Sequence, residues 1–236
     1  MNTPAKALLL VGSPKARSTS ASLGDHLLGL LEQRGLFTDS LRLTSILRKA
    51  DGARILLSKA DGAGIIVLAF PLYVDSLPGP LVRALELLAE HRRAMGSPRR
   101  QRLLAISNCG FPEARHNETA LDQCRIFCRD AGIEWVGGLG LGGGGMIGGL
   151  PLTKRGRAVR GVTASLALAA DTLAADTPLP EEAVSLMARP LIPVWLYMLI
   201  GHAGWRRQAR KFGALKKIYD RPYQDEEAPA SPHQLP

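Results

Sequence analysis

Short apolar runs alternate with helically spaced leucines along the first three quarters of the chain. Ala7 to Val11 is unbroken apolar sequence closed by Gly12-Ser13-Pro14, too short for a helix and suited to a strand buried on both faces. Leu23, Leu27, Leu30 and Leu31 then predict a helix reaching about Arg34 and stopping at Gly35. Leu36 to Leu43 alternates weakly and is expected as strand two, with a helix over Leu47 to Lys59. Ala63 to Phe70, β-branched at its centre and ended by Pro71, is the clearest buried strand. Leu81, Leu85 and Leu88 mark a helix after Pro78-Gly79-Pro80. Leu103 to Ser107 forms a fourth apolar run, Thr119 to Ala131 a helix, Ile133 to Leu141 a fifth strand, and Thr153 to Ala175 a last helix with Val159, Val162, Leu166, Ala169 and Leu173 at i, i+3 and i+4 spacing.

Strand and helix therefore alternate five times, which implies an α/β fold with a parallel sheet covered on both faces. Ligands of such sheets bind at the carboxyl ends of the strands. The informative loops are Gly12 to Ser20, Pro71 to Pro80, Asn108 to Asn117 and Gly142 to Gly149. A domain over residues 1–176 is expected, followed over 177–236 by a helical, basic extension. That extension holds a proline-containing linker, a short helix, an apolar run from Leu191 to Ile200 and a basic segment. Its end, Glu226 to Pro236, has four prolines and is expected to fray.

The first loop, Gly12-Ser-Pro-Lys-Ala-Arg-Ser-Thr-Ser20, is rich in hydroxyls and cations. Ser18, Thr19, Ser20 and Ser22 are placed to cap a helix whose free N–H groups and positive dipole end favour a phosphate, with Lys15 and Arg17 adding charge. The loop lacks the G-x-x-x-x-G-K-[ST] of a P-loop and the later glycines of a dinucleotide fingerprint. Hydroxyls in place of glycines suit one terminal phosphate monoester, as in a mononucleotide such as FMN. A serine-rich cap with no ligand is the alternative.

Composition narrows the field further. The 236 residues are 46% hydrophobic with a mean hydropathy of +0.02, so a core is affordable and global disorder is not indicated. Three cysteines, Cys109, Cys124 and Cys128, are too few for a disulfide framework or a four-ligand metal site, and no metal is expected. The apolar run ending at Val11 carries no A-x-A signal, so a cytoplasmic protein is expected. Cys124 and Cys128, at i, i+4 in phase with Leu121, are read as core packing. Of the net charge of +9, a local balance of +6 falls between His202 and Pro222, where seven Lys or Arg face Asp220 alone.

Together, GSPKARSTS and the third-strand segment FPLYVDSLPGPLVRALE resemble the NADPH-dependent FMN reductase group of flavodoxin-like proteins. The likeness covers roughly residues 6 to 150. It implies a flavodoxin-like, doubly wound five-stranded sheet in the order 2-1-3-4-5, a homodimer, and FMN as cofactor with NAD(P)H as co-substrate. The FMN phosphate would lie against Ser13, Lys15, Arg17, Ser18, Thr19 and Ser20. The ring would lie near Pro71, Leu72, Tyr73 and Val74, with Asn108, Cys109 and Gly110 from the fourth-strand loop and Gly143 and Gly144 from the glycine cluster. Relatives that carry an iron–sulfur cluster hold it on a cysteine-rich insertion after strand three, which this chain lacks. The expected activity is hydride transfer from NAD(P)H through FMN to a quinone, flavin or other small acceptor, without a catalytic side chain.

Two further readings stand beside it. A flavodoxin-type electron carrier would share the fold, though the familiar carriers are acidic and this chain is basic. An adaptor for a membrane or a protein partner would use the C-terminal extension, where Trp195, Tyr197 and Trp205 adjoin the cations; an apolar element packed on its own domain or across a dimer is favoured over membrane contact there, because Pro190 and Pro193 are expected to break any long amphipathic helix. Nucleic acid is not expected as a partner, since no recognition motif accompanies the charge.

Overall fold

The computed structural model describes residues 6–96 and 99–221. Five strands, β1 (Lys6–Val11), β2 (Phe37–Arg42), β3 (Ile65–Pro71), β4 (Arg102–Asn108) and β5 (Glu134–Leu141), pair in parallel in the order β2-β1-β3-β4-β5. Helices α1 (Thr19–Glu32), α2 (Leu43–Ile46), α3 (Gly52–Asp61), α4 (Gly79–Ala94), α5 (Glu118–Ala131) and α6 (Arg160–Ala175) connect or follow them. Two more, α7 (Glu181–Ala188) and α8 (Val194–Lys211), lie further along the chain. This is the flavodoxin-like order that the resemblance implied.

Alternation along the buried strands sorts their side chains between two cores. Leu9, Val67 and Leu104 face α1 and α6, where Leu23, Leu27, Leu31, Val162, Leu166 and Leu173 are buried. Leu8, Leu10, Ile66 and Leu68 face the opposite way, onto Leu56 of α3, Leu81 and Leu88 of α4, and Cys124 and Cys128 of α5. Because each face is covered, β1 and β3 read as continuous apolar runs. The stretch Gly156–Ala175 is long and apolar enough by composition to cross a membrane, yet its helix α6 packs in the first core.

Several boundaries differ from expectation for local reasons. The helix expected over Leu47 to Lys59 begins only at Gly52 as α3, after a turn at 47–51, and the short helix α2 precedes that turn. A side chain at Gly52 would put Cβ 1.9 Å from the Ile46 carbonyl oxygen, so only glycine allows α2 to fold back on α3 this tightly. The last core helix starts at Arg160 rather than Thr153, because Gly156 takes φ +57 and the chain before it forms short 3-10 turns. Pro190 and Pro193 do not break a helix. They precede it, and Pro193 is the N-cap of the 18-residue α8.

The first compact unit extends to Ile192, beyond the expected boundary at Asp176, and the second covers residues 193–236. Helix α7 belongs to the first because Ala183 and Met187 are fully buried in its core. At a register shift between β4 and β5, Gly137 (φ +154) leaves room for Leu179, which would lie 2.6 Å from a Cβ there. The expected frayed end, Glu226 to Pro236, lies outside the described residues.

One polar cluster ties the edge strand to its neighbours. Asp39 of β2 accepts hydrogen bonds from Lys59 of α3 at 2.5 Å and Lys6 of β1 at 3.3 Å. Burial raises the Asp39 pKa, but the two lysines outweigh it and hold the carboxyl below its ordinary value. Asp39→Asn is expected to cost about 1 kcal/mol at neutral pH. The folded carboxyl being the stronger acid, this advantage is complete above about pH 4 and disappears as pH falls through the depressed folded value. Urea titrations of both proteins at pH 7 and in acid check this, and an equal deficit at both would contradict it.

Candidate functional site

The carboxyl ends of β1, β3, β4 and β5 meet at one edge of the sheet, and the loops leaving them form an open cleft. Gly12 leaves β1 with its N–H still bonded to the Ala69 carbonyl at 2.9 Å, and a Cβ on it would approach Phe70 Cβ to 3.0 Å. Ser13 is buried, Pro14 to Arg17 are exposed, and Ser18, Thr19 and Ser20 are buried again at the start of α1.

The hydroxyls of this loop have distinct duties. Ser18 is the N-cap: its Oγ accepts the Ala21 N–H at 3.2 Å, and its carbonyl accepts the Ser22 N–H at 3.1 Å. Thr19 Oγ1 donates to the Gly144 carbonyl at 2.6 Å, so its hydroxyl proton is committed within the protein. Ser20 Oγ accepts from Asn108 Nδ2 at 2.8 Å and keeps its own proton to donate. A helix leaves its first N–H groups without internal acceptors. With Ala21 capped, the Thr19 and Ser20 N–H groups remain for an anion, alongside the Ser13 and Ser20 hydroxyls, Lys15 and Arg17.

The glycine cluster after β5 braces this loop from the side. Gly144 is buried against Asn108, where a Cβ would come within 2.8 Å of Oδ1. Gly149, at φ +73, packs so closely that a Cβ would lie 2.8 Å from both the Arg17 carbonyl carbon and the Ser18 nitrogen. From behind, Arg42 at the end of β2 donates to the Ala16 carbonyl at 2.7 Å. Arg42 lines a second hollow of about 270 Å³ with Arg17, Asp25 and His26. Burial raises the Asp25 pKa, opposed by Arg42, and lowers that of His26.

Strands β3 and β4 supply the other end. Pro71 stands opposite Asn108 in register, and the Leu72 N–H donates to the Asn108 carbonyl at 2.8 Å. Asn108 Nδ2 also donates to the Phe70 carbonyl at 3.0 Å, so the amide is held from two sides. Val74 (φ +49) and Asp75 (φ +54) form a two-residue left-handed turn closed by reciprocal Tyr73 and Ser76 backbone bonds of 3.1 Å. A β-branched residue there is strained by roughly 1–2 kcal/mol.

Cys109 is 5% exposed. Burial raises its pKa, and its Sγ lies 3.5 Å from the Phe111 carbonyl and from Asn117 Nδ2. The shift disfavours the thiolate that nucleophilic attack requires. Cys124 and Cys128 are fully buried in the second core, and burial pushes the Cys128 thiol up to about 12.

The cleft, about 340 Å³, is lined by Ser13, Lys15, Arg17, Ser18, Thr19 and Ser20 at one end and by Pro71, Leu72, Tyr73, Asn108, Cys109 and Gly110 at the other. That volume lies within the range of small-molecule sites. Three residues expected at the ring lie elsewhere. Val74 is 98% exposed at the turn tip. Gly143 and Gly144 are buried behind the wall, and the glycines that reach the cleft are Gly145 and Gly148. Within a glycine run no side-chain pattern separates buried members from exposed ones. Arg42 escaped notice because its role depends on β2 lying beside β1.

An N-terminal helix cradle with hydroxyl and cationic donors, joined to an open cleft lined by Pro71, Leu72 and Tyr73, fits a molecule with one terminal phosphate. The model for NADPH-dependent FMN reductases matches residues 5–129, and the chain belongs to that family. It is an FMN-containing, NAD(P)H-dependent oxidoreductase.

No curated protein matches the chain in sequence. Among solved structures, the apo form of an NADH:FMN oxidoreductase (EMOB) is 17% identical with a TM-score of 0.56, the match covering 80% of this chain and 96% of that one. An FMN-dependent NADH-azoreductase from Bacillus anthracis in complex with FMN is 14% identical with a TM-score of 0.52, over 72% of this chain and 99% of its own. A flavodoxin from Streptococcus pneumonia is 18% identical with a TM-score of 0.52, over 73% and 100%. These structures share the fold.

Gly149→Ala is expected to weaken FMN binding about tenfold, roughly 1.4 kcal/mol, by displacing the Arg17–Ser18 backbone. Gly29→Ala on α1, where a Cβ meets nothing within 4 Å, is the control. Equal FMN affinities in a fluorescence-quenching titration would remove the bracing role from Gly149. Val74→Asn should relieve turn strain and stabilise by about 1 kcal/mol, with FMN affinity unchanged; a loss of affinity would return Val74 to the site.

Proposed function

We propose that this protein transfers a hydride from NAD(P)H by way of FMN to a small acceptor such as a quinone or a free flavin, and that the cleft at the carboxyl edge of the sheet is where it does so. The observation that carries this reading is the joining of two unlike ends in one cleft. Thr19 and Ser20 N–H groups with Ser13, Ser20, Lys15 and Arg17 form the anion-binding end, and Pro71 to Tyr73 with Asn108 to Gly110 form the other.

FMN held there would supply the redox chemistry between the nicotinamide and the acceptor. The chain's part is to bind and orient. Ser18 keeps the α1 N-terminus ordered, so that its amides face the phosphate without reorganising. The amide of Asn108, with its N–H groups committed to Ser20 and the Phe70 carbonyl, ties the start of α1 to the ends of β3 and β4 where the ring would lie. Leu72 supplies an apolar wall, and Tyr73, 43% exposed, covers the mouth. Burial disfavours the Cys109 thiolate, and the scheme asks no side chain to act as nucleophile, acid or base. A cytoplasmic homodimer accords with the low cysteine count and with the family resemblance.

Under anaerobic conditions, stoichiometric NADPH or NADH should bleach the visible absorption of the FMN-loaded protein, and a small quinone should restore it. Bleaching by a protein reductase alone, with both nicotinamides inert, would replace the enzyme with an electron carrier. Paired Lys15→Ala and Arg17→Ala substitutions should raise the FMN dissociation constant by about tenfold without changing the rate of bleaching in protein saturated with FMN. Unaltered affinity would move the phosphate away from this loop.

A further inference from the structure

Helix α8 belongs to the second compact unit, and within that unit none of its residues is buried. Its first two turns, Val194 to Ile200, carry no charge, and Val194, Trp195, Met198, Leu199 and Ile200 are each at least 40% exposed. Trp205 is 74% exposed and Phe212 70%. Contiguous exposed apolar side chains of this size mark a surface that meets something other than water. From Arg206 onward the character reverses. Arg206, Arg207, Arg210, Lys211, Lys216, Lys217 and Arg221 are opposed up to that point by Asp220 alone, and the acidic Asp225, Glu226 and Glu227 come later in sequence.

Helical geometry arranges these groups usefully. Val194, Met198, Trp205 and Ala209 follow one stripe along the helix, whereas Trp195, Leu199 and Ile200 lie on the side that Arg206, Arg207, Arg210 and Lys211 occupy further on, so apolar and basic groups are separated along the helix rather than around it. An apolar, tryptophan-bearing half followed by a cationic half is a composition suited to a helix at a membrane interface. Its tryptophans rest at headgroup depth there, and its arginines and lysines reach the phosphates.

We propose that α8 and the basic segment after it bind the surface of a bilayer carrying acidic phospholipid. Charge selects this occupant over a second copy of the chain. Residues 1–192 contain 23 Lys or Arg against 17 Asp or Glu, so the larger unit of another copy is itself positive and would repel the cations of α8. Nucleic acid would satisfy the cations but leave Trp195, Leu199 and Ile200 in water. The apolar run is about half the length a membrane span requires, so the contact is peripheral.

The test is co-sedimentation of the full FMN-loaded chain with phosphatidylcholine vesicles, with and without about one third phosphatidylserine. Binding is expected with the acidic vesicles only, falling with added salt. Arg206→Glu, Arg207→Glu and Arg210→Glu together should weaken it at least about tenfold, since each cation near an acidic surface contributes roughly fivefold. Trp195→Ser with Leu199→Ser should also abolish it, and should remove tryptophan quenching by brominated acyl chains. Bleaching by NADPH must stay at the unsubstituted rate in every variant, which shows that the folded oxidoreductase is intact. Three outcomes overturn the proposal: no preference for acidic vesicles, unchanged binding by the apolar variant, or conversion of a dimer to a monomer by that variant with no lipid dependence.

Discussion

Parallel strands buried on both faces cannot be joined by tight turns. Each must be followed by a crossover that returns the chain to the same starting edge, so every strand ends at the opposite edge. In this chain the constraint brings Gly12, Pro71, Asn108 and Gly142 together although 130 residues separate the first from the last. The apolar alternation of Leu8, Leu9 and Leu10 between two cores is therefore the origin of the cleft as well as of stability. A one-residue slip in β1 would turn each of these side chains toward the wrong helical layer and move the phosphate loop with it.

At that edge the polar groups are divided between holding the loop and presenting donors to a ligand. Ser18 and Thr19 act inward, on the helix end and on the Gly144 carbonyl. Ser20 does both, accepting from Asn108 while retaining its proton. The division makes the donor set rigid before any ligand arrives, and a preformed site loses less conformational entropy on binding. Close approach does the rest. Glycines at 144 and 149 let one loop lie directly against another where any side chain would force them apart.

Much of this was legible because periodicity is a local property of sequence. The buried strands, the leucine faces of α1 and α4, and the hydroxyl-rich helix start could be read from spacing alone, and the strand order followed from the family resemblance. What could not be read depends on partners distant in sequence. The break between α2 and α3 comes from a backbone contact at Gly52. The membership of α7 in the larger unit comes from the burial of Ala183 and Met187 in the first core. Tyr73 and Val74 are adjacent in sequence, yet the reversal of the turn leaves one lining the cleft and the other in solvent. Prolines misled at α8 because the same residue that interrupts a helix interior is well accommodated at its start.

The paired thiols of α5 have a practical consequence. Cys124 and Cys128 have 0% exposure, and burial raises both pKa values, so a thiol-reactive label must wait until the α5 side of the sheet opens. The rate at which these sulfurs become alkylated is a built-in clock for that opening. Because they flank neither the phosphate loop nor the cleft mouth, the clock can be read with FMN present or absent, and the difference measures how firmly the cofactor holds the sheet closed.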